Sequence, residues 1–266
     1  MPDFKPVALI TGASAGIGAA LADVFADNGH ELVLVARRAP QLKVLADAIE
    51  ARGRPRPHVI ALDLAVTDAA ERIDDELRDC GLAPQYVVNN AGFGLLGPAA
   101  TLDRQRQLAM IDLNVRVLTD LSLRFVESLA RHKGGILNVA SVASFMPGPG
   151  MAVYHATKAY VLSLSEALHR ELAPRGVRVT ALCPGPVQTE FMTSAGIPDD
   201  YFPRFLARSA ERVARDGYDG LMRGKRVVVP GSANKVAVLL PRLLPRGVMV
   251  RIVRAFARAD LKPPEA

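Results

Sequence analysis

The sequence predicts an α/β fold: one doubly wound parallel sheet with helices on both faces. Three observations predict it. Short apolar runs that read as buried strands alternate with stretches of helical periodicity along most of the chain. A glycine-rich turn joins the first such strand to the first helix, and a second apolar strand follows. The chain has 266 residues, half of them hydrophobic, which is ample for one large α/β core.

Composition narrows the function classes. Two cysteines, Cys80 and Cys183, give no disulfide framework and no metal-ligand spacing, so no metal is expected and a reducing, cytoplasmic setting is the default. The N-terminal residues lack the apolar core of a signal peptide. The net charge of +6 is uneven: residues 221–259 hold nine Lys or Arg and no acid. The basic character therefore belongs to the tail. Aromatic residues make up 5%, and no basic-plus-aromatic pattern for nucleic acid is present.

The elements follow in order. Residues 7–10 (VALI) form the first strand, and Thr11 to Gly18 (TGASAGIG) the turn. Ile17, Leu21, Val24 and Phe25 then make a helical stripe that Asn28-Gly29 ends. Residues 31–36 (ELVLVA) are the second strand. Glycines in such a turn let the backbone approach a pyrophosphate at a helix N-terminus, so Gly12, Gly16, Ile17 and Gly18 point to a bound dinucleotide. A carboxylate at the end of the second strand would select the NAD ribose, and an Arg the NADP phosphate. Here Ala36 is followed by Arg37 and Arg38. We assign Arg37 to the phosphate with Ser14 helping, Arg38 reading equally as a solvated charge.

Residues 58–62 are a third strand, 85–88 a fourth and 136–140 a fifth, with an amphipathic helix over 69–80 and a long one over 101–132. Ser141 lies just past the fifth strand, at the edge where α/β sheets place ligands. Tyr154 and Lys158 are four residues apart and share a helix face. An ammonium there would lower the phenol pKa and suit it to acid/base work, although Tyr-x-x-x-Lys alone is a common accident.

The T-G-x-x-x-G-x-G turn, the run Asn89-Asn90-Ala91-Gly92, the phrase Leu113-Asn114-Val115, and Ser141, Tyr154 and Lys158 together resemble the short-chain dehydrogenase/reductase family over roughly residues 5–230. The resemblance implies a Rossmann-type sheet of seven strands in the order 3-2-1-4-5-6-7. It implies catalysis by Ser141, Tyr154, Lys158 and Asn114. Ser141 would orient a carbonyl oxygen and Tyr154 would protonate it. Lys158 would lower the Tyr154 pKa and hold the nicotinamide ribose, and Asn114 would complete a proton relay through water. Cofactor contacts are implied for Asp63, Leu64, Asn90, Ala91, Gly92, Pro184, Gly185, Val187 and Thr189. The implied cofactor is NADP(H), and the implied partner is a small carbonyl or alcohol substrate. Family members pair as dimers or tetramers through the long helices near 101–132 and 153–173, so a homo-oligomer is expected.

Phe93, Phe145, Met151, Phe191 and Met192 are the candidate substrate contacts, which favours an apolar ketone or aldehyde. Residues 190–224 are expected to form a lid. His155 and Cys183 read as structural. Residues 1–231 make the dinucleotide-binding and catalytic domain, and 232–266 a basic amphipathic helical extension of it. In that extension Met249, Ile252, Val253 and Phe256 share one face and Arg251, Arg254 and Arg258 another. Such a helix docks on its own core or a second subunit, or lies on an anionic membrane surface; no run reaches the ~20 apolar residues of a membrane span. A non-catalytic NADP-binding scaffold on the same fold is the rival from another function class.

Overall fold

The computed structural model describes residues 4–198 and 200–256. Seven strands form one sheet: β1 Lys5–Thr11, β2 Leu32–Ala36, β3 His58–Ala61, β4 Leu82–Asn89, β5 Gly135–Val139, β6 Arg178–Leu182 and β7 Val227–Val228. Their spatial order is β3-β2-β1-β4-β5-β6-β7, as expected, and each neighbouring pair is parallel.

Both faces of the sheet are covered, which is why the strands read as unbroken apolar runs. Ala8, Ile10, Leu34, Val88 and Leu137 pack against Leu21 and Phe25 of helix Gly16–Asp27 and Val213 and Leu221 of helix Ala210–Met222. Leu9, Val33, Val87 and Ile136 face the other way, onto Ile73 and Leu77 of helix Ala69–Asp79 and Leu168 of helix Ala152–Glu171. Inside this apolar sandwich Asn89 Nδ2 donates to Asn138 Oδ1 at 2.8 Å and to Ser122 Oγ at 3.0 Å.

Strand order reverses at β1, where the chain crosses from β3 back to β4. Ligands in such sheets bind outside the strand C-termini at that switch point. Thr11, Ala36, Asn89, Val139 and Leu182 end their strands there, and the candidate functional residues follow directly after them.

Three expectations need correction. The long helix over 101–132 is broken into Arg104–Ile111, a π-helical turn Asp112–Arg116, Val117–Arg124 and Val126–Arg131. Its leading apolar residues, Leu108 and Ile111, are exposed rather than buried. The lid is shorter than 190–224, because helix Ala210–Met222 is core: Val213, Ala214 and Leu221 are fully buried under the sheet. In the tail, Met249 of helix Arg246–Phe256 is buried while Ile252 is exposed. The expected apolar face is thus only partly covered. Arg258 lies outside the described residues.

Candidate active site

The glycine turn is built by steric necessity at three positions. Gly12 and Gly16 have φ of 65° and 57°, the left-handed region that an L side chain resists. A Cβ on Gly18 would lie 2.2 Å from the Gly12 carbonyl oxygen, so helix and turn could not close. Asn90 fastens this turn to β4: its Nδ2 donates to the carbonyls of Thr11 at 2.9 Å and Gly12 at 3.2 Å. Thr11 Oγ1 accepts from the Asn90 and Ala91 amides in return.

The arginine beside the turn is Arg38, not Arg37. Arg38 NH2 and Nε reach Ser14 Oγ at 3.1 and 3.3 Å, and NH2 pairs with Glu190 Oε2 at 2.8 Å. Arg37 is exposed. The reason is the end of β2: Ala36 faces the core, Arg37 therefore points out, and Arg38 swings back over the turn as the N-cap of helix Ala39–Ala51. Asp63 is exposed and its Oδ1 accepts from the Ala65 amide at 3.0 Å, an ordinary turn bond, while Leu64 is buried.

Asn114 sits fully buried in the π-turn. Its Oδ1 accepts from the Phe93 amide at 3.1 Å, and its Nδ2 donates to the Phe93 carbonyl at 3.0 Å and Thr157 Oγ1 at 3.1 Å. The side chain therefore clamps the loop after β4. Gly92 lies between it and the lysine: a Cβ there would be 2.9 Å from Asn114 Oδ1 and 3.5 Å from Lys158 Nζ.

Ser141 caps a short 3-10 turn, Val142–Phe145, accepting the Ala143 amide at 3.1 Å on Oγ. That contact occupies a lone pair and leaves the hydroxyl proton to be donated. The nearby Ser141 hydroxyl lowers the phenol pKa of Tyr154, but burial dominates and pushes it up to about 12. The Lys158 ammonium stands 5.9 Å from the Tyr154 ring centroid and donates to the Val139 carbonyl at 2.7 Å. Burial brings its own pKa down to about 8. The expected lowering of the phenol by Lys158 is thus replaced, in the protein alone, by a lowering through Ser141 set against a larger desolvation.

The phenol packs against an apolar cluster. Met151, Met192, Ala195 and Ile197 are buried together, with Tyr154 and Phe191 packed against them. The Phe191 and Tyr154 rings are 5.5 Å apart. Gly94 forms the floor: a Cβ would meet Phe191 Cζ at 3.0 Å, Met151 Cε at 3.2 Å and Tyr154 Cδ2 at 3.3 Å. Phe145 is elsewhere, packed on Leu118, Val161 and Cys183 in the core, so it is withdrawn as a substrate contact. Phe93 is partly buried, with its backbone held by Asn114.

A family model described as short chain dehydrogenase matches residues 6–198. The chain belongs to the short-chain dehydrogenase family. It is similar to sulfoacetaldehyde reductase 2 of Chromohalobacter salexigens, with 38% identity over 191 residues, 71% of this chain and 75% of that one. Among solved structures it is similar to a short-chain dehydrogenase from Sphingobium yanoikuyae in complex with NADPH, at 32% identity and a TM-score of 0.79 over 98% of each chain. The bulky-bulky ketone specific alcohol dehydrogenase from Comamonas testosteroni gives 29% identity and a TM-score of 0.75 over 99% of this chain and 97% of that one. The chain is therefore an oxidoreductase of alcohols and carbonyls.

The dehydrogenase carries supports that the sequence reading missed. Thr157 links Asn114 to the Tyr154 carbonyl, donating to the latter at 2.7 Å. Ser144 donates to the Lys158 carbonyl at 2.8 Å and closes a capping box with Ser141. The Ser-x-x-Ser spacing was a visible signal for it. Asn234 of the tail is buried and donates to the Leu206 and Pro230 carbonyls at 3.1 and 2.9 Å. It abuts Gly185, where a Cβ would be 2.5 Å from its amide. No sequence signal marked that contact. Val187 is buried and bridges Arg208. Thr189 caps helix Glu190–Ser194, and its Cγ2 would lie 3.0 Å from a Cβ on Gly16. His155 Nδ1 bonds the Met146 carbonyl at 2.8 Å and pins the loop before Tyr154. Cys183 is fully buried and burial pushes its thiol up to about 12, so it is no nucleophile. On the far side of the fold, His58, Glu76 and Cys80 come together at the surface, with a hydrogen bond of 3.0 Å between His58 Nε2 and Glu76 Oε1.

Proposed function

We propose that the dehydrogenase reduces an apolar ketone or aldehyde with NADPH, used in preference to NADH, or oxidises the matching alcohol. The observation that carries the reading is the Tyr154 phenol: near the Ser141 hydroxyl, set beside a buried ammonium, and walled by Met151, Phe191 and Met192. Met151, Phe191 and Met192 suit an apolar group rather than a carboxylate, sulfonate or phosphate, which sets the proposed substrate apart from sulfoacetaldehyde. The NADPH held by the Sphingobium relative supports the cofactor assignment.

The residues present fit a dinucleotide. The glycine turn offers backbone amides at a helix N-terminus, and Arg38 with Ser14 offers a cation and a hydroxyl for a 2′-phosphate. Gly12, Gly16, Ile17 and Gly18 would hold the pyrophosphate, Leu64, Asn90, Ala91 and Gly92 the adenosine and ribose, and Pro184, Gly185, Val187 and Thr189 the nicotinamide. Bound NADPH supplies the hydride. Ser141 donates its free proton to the carbonyl oxygen and fixes its place. Tyr154, fully protonated at neutral pH because burial raises its pKa, gives its proton to the developing alkoxide. The Lys158 ammonium stabilises the negative charge left on the phenol and donates to the nicotinamide ribose. Asn114 holds the loop after β4 in place and, through the π-turn that loosens its backbone hydrogen bonding, a water that returns a proton to Lys158.

The test is NADPH and NADH oxidation with ketones of rising size. The reading predicts turnover of apolar ketones with NADPH, and it fails if only carboxylated or sulfonated carbonyls react, or if NADH is preferred.

Two surface features extend the proposal. Leu108, Ile111, Leu123 and Tyr160 leave large apolar side chains exposed on the helices expected to pair, so a second copy covers them and the enzyme is a homo-oligomer. Val236, Leu239, Leu240 and Leu243 are exposed in the tail within an acid-free, basic stretch, which suits peripheral contact with an anionic membrane. No helix among the described residues is long and apolar enough to cross one. Light scattering tests the first. Liposome sedimentation of the chain with and without residues 232–266 tests the second, which fails if truncation leaves binding unchanged.

A further inference from the structure

We infer that Glu190 is a cofactor-selectivity residue: its carboxylate competes with the 2′-phosphate of the cofactor for Arg38. The inference rests on the reading above that Arg38 receives that phosphate. Two independent contacts bring the start of the lid onto the dinucleotide site. Thr189 packs against Gly16 in the glycine turn, and Glu190, the next residue, puts Oε2 2.8 Å from Arg38 NH2. Arg38 Nη2 also donates to Ser14 Oγ at 3.1 Å, and Nε to the same oxygen at 3.3 Å.

The guanidinium is thus shared between one carboxylate and one hydroxyl. A phosphate dianion seated on the same fork would meet the Glu190 carboxylate at close range. Like charges at such a distance repel, and the surface position weakens that repulsion without abolishing it. One anion must leave. The phosphate carries the larger charge and makes bidentate bonds to Arg, so it displaces Glu190. Ligands without a 2′-phosphate leave the pair intact. Glu190 therefore lowers affinity for the phosphorylated cofactor alone.

The displaced residue also begins helix Glu190–Ser194, which carries Phe191 against Tyr154 and Met192 into the apolar pocket.

Calorimetric binding of 2′,5′-ADP and 5′-AMP tests this at one fixed ionic strength, with Glu190→Gln, Arg38→Ala and the double variant. Glu190→Gln should bind 2′,5′-ADP about three- to tenfold more tightly, as an exposed pair allows, and bind 5′-AMP as the parent does. The gain should vanish in the Arg38→Ala background. No gain, a loss, or an equal gain for 5′-AMP overturns the inference; an equal loss for both ligands would make Glu190 a general strap over the cofactor instead. Arg38→Ala alone judges the underlying reading: it must weaken 2′,5′-ADP and spare 5′-AMP. If it costs nothing, the phosphate assignment itself is wrong. If it costs affinity and Glu190→Gln gives none back, only the competition fails.

Discussion

Lys158 donates to the Val139 carbonyl oxygen at 2.7 Å from a buried position, with no carboxylate paired to it among the described residues. A backbone carbonyl compensates a buried ammonium only in part. The amine is held for function at a cost in stability, so Lys158→Met should abolish turnover and yet stabilise the fold, by about 1–3 kcal/mol. Urea unfolding of the two proteins at pH 7 checks it.

The same amine makes stability depend on pH. Its folded pKa, about 8, lies below the ordinary lysine value of 10.5. Between those values the unfolded chain binds the extra proton, so stability rises with pH there, and below pH 8 the penalty is present in full. The advantage of Lys158→Met should therefore shrink as the pH is raised from 7 to 10. A constant difference would place the charge elsewhere.

Catalysis should follow the opposite course. Reduction uses a charged Lys158 to stabilise negative charge as Tyr154 gives up its proton. The rate for a slow ketone should fall as the pH rises through about 8, where Lys158 loses its charge. Tyr154, at about 12, stays protonated throughout that range. The pH profile of kcat/KM for reduction gives the answer.

Gly94 sets the size of the pocket, since a Cβ there meets Phe191, Met151 and Tyr154 within 3.3 Å. Gly94→Ala should lower kcat/KM for bulky ketones by about tenfold and for small aldehydes far less, in line with what one methyl group is worth in an apolar pocket. Equal losses for both would mean that the change disturbs Tyr154 rather than the space.

Asn234 ties the tail to the cofactor end. Asn234→Ala strands the Leu206 and Pro230 carbonyls and opens a gap against Gly185. About 1–3 kcal/mol of stability should go, together with a raised KM for NADPH, because the Pro184-Gly185 turn loses its backing. Thermal melts and initial rates measure both.

The strands were legible because each is an apolar run covered on both faces, and the glycine turn because only glycine suits φ near 60° at Gly12 and Gly16. Ser141, Tyr154 and Lys158 stood out through the family resemblance of their motifs rather than through spacing alone, and Lys158 stands beside the Tyr154 ring in the fold. What the sequence hid depends on side-chain direction and on distant contacts. Arg37 and Arg38 are adjacent, and only the inward turn of Ala36 decides which one swings over Ser14. Leu108 and Ile111 lie in the expected long helix but are exposed, just before the π-turn that interrupts it. Phe145 sits in the right loop and points into the core, while Gly94, with no side chain to notice, floors the pocket. Asn234 meets Gly185 across 49 residues, and no local pattern encodes that.

The central claim is that the Tyr154 phenol is the proton donor to a carbonyl held in an apolar pocket. Its most direct test is Tyr154→Phe with NADPH and an apolar ketone in single turnover, after calorimetry has shown that the variant still binds NADPH. The account predicts unchanged NADPH binding and a rate of reduction lower by about 10²–10⁴-fold, the range for removing a general acid. A variant that binds NADPH and reduces the ketone at the parent rate would contradict it.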